Sequence, residues 1–141
     1  MVDHPFGKFP TIFVRLRGRR GSVREFNALI DTGSEYCIIP KVDAYELGYP
    51  EAANDDPRSR ANNTLTLASH DGYCNGALIK MAQVEVGTMS FKDIDFVAFD
   101  IPRVTGFDVV LGRSLLQFMK LEFDYSIPQL RMEETKRGVE Q

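Results

Sequence analysis

Ala28-Leu29-Ile30-Asp31-Thr32-Gly33-Ser34 runs three apolar, strand-forming residues straight into a carboxylate, a hydroxyl and a glycine. An unpaired carboxylate taken out of water is unfavourable by roughly several kcal/mol, so an acid expected at the end of a buried strand is an acid with a use. About eighty residues further on, Val109-Val110-Leu111-Gly112-Arg113-Ser114-Leu115-Leu116 repeats the design, with three apolar residues, a glycine and an amphipathic helical start.

The remainder of the chain reads as β structure arranged around these two segments. Ile12 to Arg17 alternates with the period of a half-buried strand, Gly18 to Ser22 is a turn cluster, and Val23 to Ile30 returns as the strand that delivers Asp31. Tyr36 to Ile39 reads as a short strand. Pro40 to Leu47 reads as one or two helical turns, opened by proline and closed by Gly48. Residues 50–63 show no period and are expected to be an exposed connection. Leu65 and Leu67, Ala77 to Val86 and Phe91 to Phe99 continue the β pattern, with Gly87-Thr88 as a turn. Ser90 to Ala98 places Phe91 and, after an interruption, Ile94, Phe96 and Ala98 on one face. Phe107 to Leu111 is a further strand, Arg113 to Met119 a short helix, and Leu121 to Tyr125 with Gln129 to Met132 the closing strands. Residues 133–141 are expected to fray. No internal repeat is visible.

A chain of 141 residues with 43% hydrophobic content suits one domain, 1–141, with a core of its own. The net charge of −3 argues against general nucleic-acid binding. Arg15, Arg17, Arg19, Arg20 and Arg24 crowd one hairpin, and the alternation there reads as the solvated face of a strand rather than an anion site. Cys37 lies in an apolar stretch and Cys74 in a Gly-rich turn-like one, as expected of unpaired thiols in a reducing compartment. With only His4 and His70 to join them, no metal spacing is present, and no cofactor is expected. No segment has the pattern of a signal peptide or the apolar length of a membrane span, so a soluble, cytoplasmic protein is expected.

Taken together, Asp31-Thr32-Gly33-Ser34 and Leu111-Gly112-Arg113 resemble the two motifs of the pepsin-clan aspartic proteases, specifically the single-domain, retropepsin-like kind. The resemblance covers about residues 11–125. It implies an all-β, single-lobe, closed β-barrel with one short C-terminal helix, active as a symmetric homodimer. It assigns catalysis to Asp31 and support of the catalytic loop to Thr32, Gly33 and Ser34, with the Ser34 hydroxyl expected on the Asp31 carboxylate and an acidic optimum in consequence. Glu35 and Arg113 take the positions of a structural ion pair. Ser69, His70, Asp71, Gly72, Tyr73 and Cys74 take those of a flap that closes over substrate. Phe107, Val109, Leu111 and Gly112 are expected to wall the substrate pocket.

Hydrolysis through two carboxylates needs one ionised group to activate water and one protonated group to polarise the carbonyl. The chain holds a single Asp-Thr-Gly: Asp71-Gly72 lacks the hydroxyl residue and Thr105-Gly106 lacks the acid. The expected function is therefore an aspartic endopeptidase that acts on peptides or proteins through water held between the Asp31 side chains of two subunits. The alternative is a proteolytically inactive dimer of the same fold that serves as a peptide-binding or assembly module. Neither Met1 to Phe9 nor Leu130 to Gln141 shows a clear dimer signature.

Overall fold

The computed structural model describes residues 2–5, 10–52, 64–69, 72–100 and 106–135, with residues 2–5, 64–69 and 72–75 described by backbone course and pairing. Strands β1 (Val2–Pro5), β2 (Thr11–Arg17), β3 (Val23–Ile30) and β4 (Cys37–Ile39) lead into helix α1 (Lys41–Glu46). Then come β5 (Thr64–Ser69), β6 (Gly72–Val86), β7 (Met89–Ala98) and β8 (Val109–Leu111). Helix α2 (Arg113–Leu116), β9 (Met119–Asp124) and β10 (Gln129–Glu134) complete the order.

The main sheet runs β2-β3-β8-β4-β7-β6-β5, and a further pairing of β2 with β6 closes six of these strands into a barrel. Closure follows from twist: Arg15 to Arg17 meets Gln83 to Glu85 at the seam. The two segments that opened the sequence analysis are neighbours, because β3 and β8 run parallel with Leu29 opposite Val110 and Ile30 opposite Leu111. Alternation sends Ile12, Val14 and Leu16 of β2 and Phe26, Ala28 and Ile30 of β3 into one core. A second sheet, β1-β10-β9, buries Leu130 and Met132 against it.

The interruption in Ser90 to Ala98 is a backbone event. Asp93 has φ 55°, the left-handed region that Asp tolerates better than most residues. Below it Ile94, Phe96 and Ala98 are buried, and above it Phe91 and Met89. Their partners on β6 switch at the same level, since Met81 pairs with Ile94 and Val84 with Phe91. The whole hairpin thus exchanges its faces at one step without losing register.

At the same level β6 has a free edge, between the end of its pairing with β5 at Ala77 and the start of its pairing with β2 at Gln83. The buried Tyr49 fills this gap: its hydroxyl donates to the Lys80 carbonyl at 2.6 Å and accepts from the Ala82 amide at 3.1 Å. Burial pushes the phenol pKa up from its ordinary value. Gly18 lets the β2–β3 turn lie against this region, because a Cβ there would stand 1.8 Å from the Leu47 carbonyl oxygen.

Several sequence expectations change here. Residues 50–63 are not wholly an exposed connection: Pro50–Ala52 forms a 3-10 turn, Ala52 is buried and Glu51 pairs with Arg19, while 53–63 lie outside the described residues. Tyr49 and Ala52, one turn apart, supply an apolar face too short to show as a period. The helix expected from Arg113 to Met119 ends at Leu116, and Met119 begins β9. The frayed tail begins later than residue 133, because Glu133 and Glu134 pair with β9 and the Thr135 amide donates to the Phe118 carbonyl. Strand β1, with its proline and only four residues, carried no alternation to read. Four of the five crowded arginines are committed to neighbours, Arg15 to Glu85, Arg17 to Gln83 and Gly21, Arg19 to Glu51, and Arg24 to Asp43 and Glu46. No helix among the described residues is long and apolar enough to cross a membrane.

Removing the Tyr49 hydroxyl takes the partner from the Lys80 carbonyl and the Ala82 amide, both part-buried. Tyr49→Phe is therefore expected to lower unfolding stability by about 1–3 kcal/mol in urea titrations. Tyr45→Phe, on an exposed side chain, serves as the control and is expected within about 0.5 kcal/mol of the parent.

Candidate active site

Asp31 is the first residue beyond β3, and its amide donates to the Leu111 carbonyl at 3.0 Å. The loop then turns on itself. The Gly33 amide donates to the Asp31 carboxylate at 2.9 Å, and the Ser34 amide to the Asp31 carbonyl at 3.2 Å. The carboxylate is thus aimed by its own loop. Burial ends one residue earlier, at Ile30, and Asp31, Thr32 and Gly33 are exposed on the single chain. This corrects the expectation of a buried acid: the hydrophobic lead-in positions Asp31 without covering it. Ser34 also differs, since its hydroxyl donates to the Tyr36 carbonyl at 2.7 Å instead of to the carboxylate. The hydroxyl holds the far side of the loop, and the expected acidic shift from a Ser34–Asp31 bond loses its basis.

The second segment is built to receive this loop. A Cβ on Gly112 would stand 2.2 Å from the Tyr36 carbonyl oxygen and 2.7 Å from that of Ser34, so only glycine allows the two backbones to touch. The next two amides complete the seam, Arg113 donating to the Ser34 carbonyl at 2.8 Å and Ser114 to the Glu35 carbonyl at 2.9 Å. Ser114 adds its hydroxyl, which accepts from the Cys37 amide at 3.0 Å and donates to the Asp95 carbonyl at 2.7 Å. Among the described residues no ion pair joins Glu35 to Arg113, and both side chains are exposed. The link expected of that pair is made by backbone amides.

Three of the four residues expected to wall the pocket are covered. Val109 and Leu111 are both 0% exposed and belong to the barrel core, and Gly112 is covered by the loop. Strand period is the reason. Leu29 shares a face of β3 with Asp31, and its opposite number on β8 is Val110. The same row continues to Ile38 on β4, Val97 on β7 and Leu78 on β6. These five apolar residues on five strands share the face of the sheet opposite the barrel core; Leu29, Ile38 and Leu78 are half-buried there, while Val97 and Val110 are covered. The run Val109-Val110-Leu111 is apolar throughout and carries no alternation from which the phase could be read. Phe107 is half-buried and borders a cleft of about 490 Å³ that does not include Asp31.

The flap residues lie at a hairpin: β5 and β6 pair from Thr64 with Ala77 to Ser69 with Gly72, so Gly72, Tyr73 and Cys74 begin β6. His70 and Asp71 lie outside the described residues. No group of metal-ligating side chains occurs among the described residues.

Two outcomes follow from this packing. Gly112→Ala is expected to destabilise the fold by about 2–3 kcal/mol in urea unfolding, because backbone rather than a flexible side chain must yield. Burial pushes the Cys37 thiol up to about 11. In a Cys74→Ser background the native protein should therefore resist a thiol-specific reagent at pH 8, and react once unfolded.

Comparison with known proteins agrees with this geometry. Residues 14–115 match the family model described as aspartyl protease. The fold is similar to the crystal structure of a retropepsin-like aspartic protease from Rickettsia conorii, at 23% identity and a TM-score of 0.54, over 89% of this chain and 94% of that one. No curated protein matches the sequence significantly. With both motifs, the barrel and the family match in place, the chain belongs to the aspartyl protease family and is an aspartic-type hydrolase of retropepsin-like fold.

Proposed function

We propose that the active enzyme is a homodimeric endopeptidase in which the Asp31 side chains of two subunits meet at a twofold axis and hold the attacking water between them. The observation that carries this reading is the state of Asp31 on the single chain. One Asp-Thr-Gly is available, its carboxylate is fixed by the Gly33 amide, and it faces outward. A dyad assembled from two chains needs each half aimed and exposed before assembly, and Asp31 meets both conditions.

In this arrangement one carboxylate is ionised and takes a proton from water as the oxygen attacks the peptide carbonyl carbon. The other, protonated, donates its hydrogen bond to the carbonyl oxygen as that oxygen gains charge. Collapse of the tetrahedral intermediate breaks the C–N bond, with a dyad proton passing to the leaving nitrogen. Two like charges so close share one proton, so the pair titrates as a unit and the pH–rate profile is bell-shaped. Thr32, exposed beside the acid, is placed to hydrogen-bond across the axis, and Gly33 leaves room for the substrate backbone. The β5–β6 hairpin serves as the flap, adding a strand to an extended peptide and excluding water. The half-buried Leu29, which shares a face of β3 with Asp31, offers an apolar contact to a substrate side chain next to the cut.

Mixing subunits tests the shared dyad. Asp31→Asn is expected to dimerise in sedimentation experiments and to cleave nothing. Added in excess to wild-type protein under exchange conditions, it should remove nearly all activity on a fluorogenic peptide, because heterodimers carry one acid. Wild-type specific activity should also fall on dilution below the dimer dissociation constant. Full activity in a monomer, or in the mixed dimers, would rule the mechanism out.

A further inference from the structure

We propose that Asp108 makes this enzyme selective for a lysine or arginine side chain flanking the scissile bond, an inference that rests on the Asp31 dyad and deepens it. The apolar row that contains Leu29 and Val110 ends abruptly. One step back along β3 from Leu29 stands Asn27, and one step back along β8 from Val110 stands Asp108. A polar pair therefore closes an apolar row, and one member is an acid.

The Asp108 carboxylate is held in a fixed place. Its Oδ2 accepts from the Asn27 amide at 3.0 Å, and the Asp108 amide donates to the Asn27 carbonyl at 2.8 Å. The Asn27 side chain donates to the Gly106 carbonyl at 2.8 Å, tying down the residues that lead into Asp108. The residue is exposed, and Oδ1 has no hydrogen-bond partner among the described residues. Its charge is also unmatched there. Arg24 borders the same cleft but is paired with Asp43 at 3.1 Å and Glu46 at 2.6 Å, and Arg15 is paired with Glu85. Glu25, which also borders the cleft, adds a second negative charge.

Reach completes the argument. Two residues of strand separate Leu29 from Asn27, about 6.6 Å at roughly 3.3 Å per residue. A side chain entering over the half-buried Leu29 can lay an aliphatic stem on it and carry a cationic head to Asp108, as lysine and arginine do when the stem is buried and the head stays wet. The cleft of about 490 Å³ bordered by Asn27, Phe107 and Asp108 leaves room for that head. An uncharged side chain of equal length rests on the same Leu29 and leaves the carboxylate unmet.

The test uses the full-length dimer and peptides that differ only at the residue flanking the cut: lysine against norleucine, and arginine against citrulline. Wild-type protein should show kcat/KM about tenfold higher for each charged member, the scale of one charge-assisted hydrogen bond. The preference should shrink towards one in 1 M salt, where the screening length is about 3 Å. In Asp108→Asn, which keeps an oxygen for the Asn27 amide, the lysine-to-norleucine ratio should fall close to one. In Asp108→Lys a glutamate peptide should overtake the lysine peptide. Norleucine cleavage by wild-type protein without a lysine preference, or an undiminished preference in Asp108→Asn, would overturn the assignment and leave the dyad standing. Cleavage that persists in Asp31→Asn would instead overturn the dyad, and this assignment with it.

Discussion

The structure depends on one close approach between two backbones. The loop that carries Asp31 rests on Gly112 with no side chain between them, and three amides, from Asp31, Arg113 and Ser114, bond across the contact. Each of those bonds alone is worth roughly 1 kcal/mol net, yet together they fix a loop that would otherwise sample many conformations. Orientation of the carboxylate is the product. Any side chain at position 112 would separate the segments and release the acid from the one geometry in which it is useful.

Behind that contact the barrel acts as a frame, and its weak points are covered by single residues. β8 is three residues long, so its hold on β3 and β4 relies on Val109 and Leu111 packing inward while Val110 packs outward. The exchange of faces at Asp93 lets the β6–β7 hairpin serve the barrel wall at one end and cover the region of α2 at the other, where Phe91 stacks on Phe118. Where strand pairing lapses on β6, Tyr49 supplies both a donor and an acceptor. A buried edge left unpaired would be a more serious fault than a missing contact, since its amide and carbonyl would have lost water without replacement.

Much of this architecture was legible in the residues because the decisive signals are local. The bounds of β3 follow from alternation up to Ile30, and the catalytic loop from the chemistry of Asp-Thr-Gly. What escaped was set by partners distant in sequence. Val110 rather than its neighbours joins the row of Leu29 because parallel pairing sets the phase, and a run of three apolar residues looks the same in either phase. Ser34 could have met the acid next to it or the carbonyl two residues on, and only the turn geometry decides. Glu35 and Arg113 carry complementary charges, but the backbone already makes the connection their side chains were expected to make. Strand β1 gains its place from β10, more than a hundred residues away, and has no signal of its own.

Exposure of Asp31 ties the fold to its chemistry. A carboxylate fully buried within one chain would have to be neutralised or paired by that chain, and could not then face a second acid. The barrel instead spends its hydrophobic content up to Ile30 and leaves the next residue outside, oriented and solvated. In the proposed dimer, desolvation of the acid is thereby deferred until a second subunit and a substrate arrive. Aim is thus a property of the single chain, and the close contact at Gly112 is where the chain secures it.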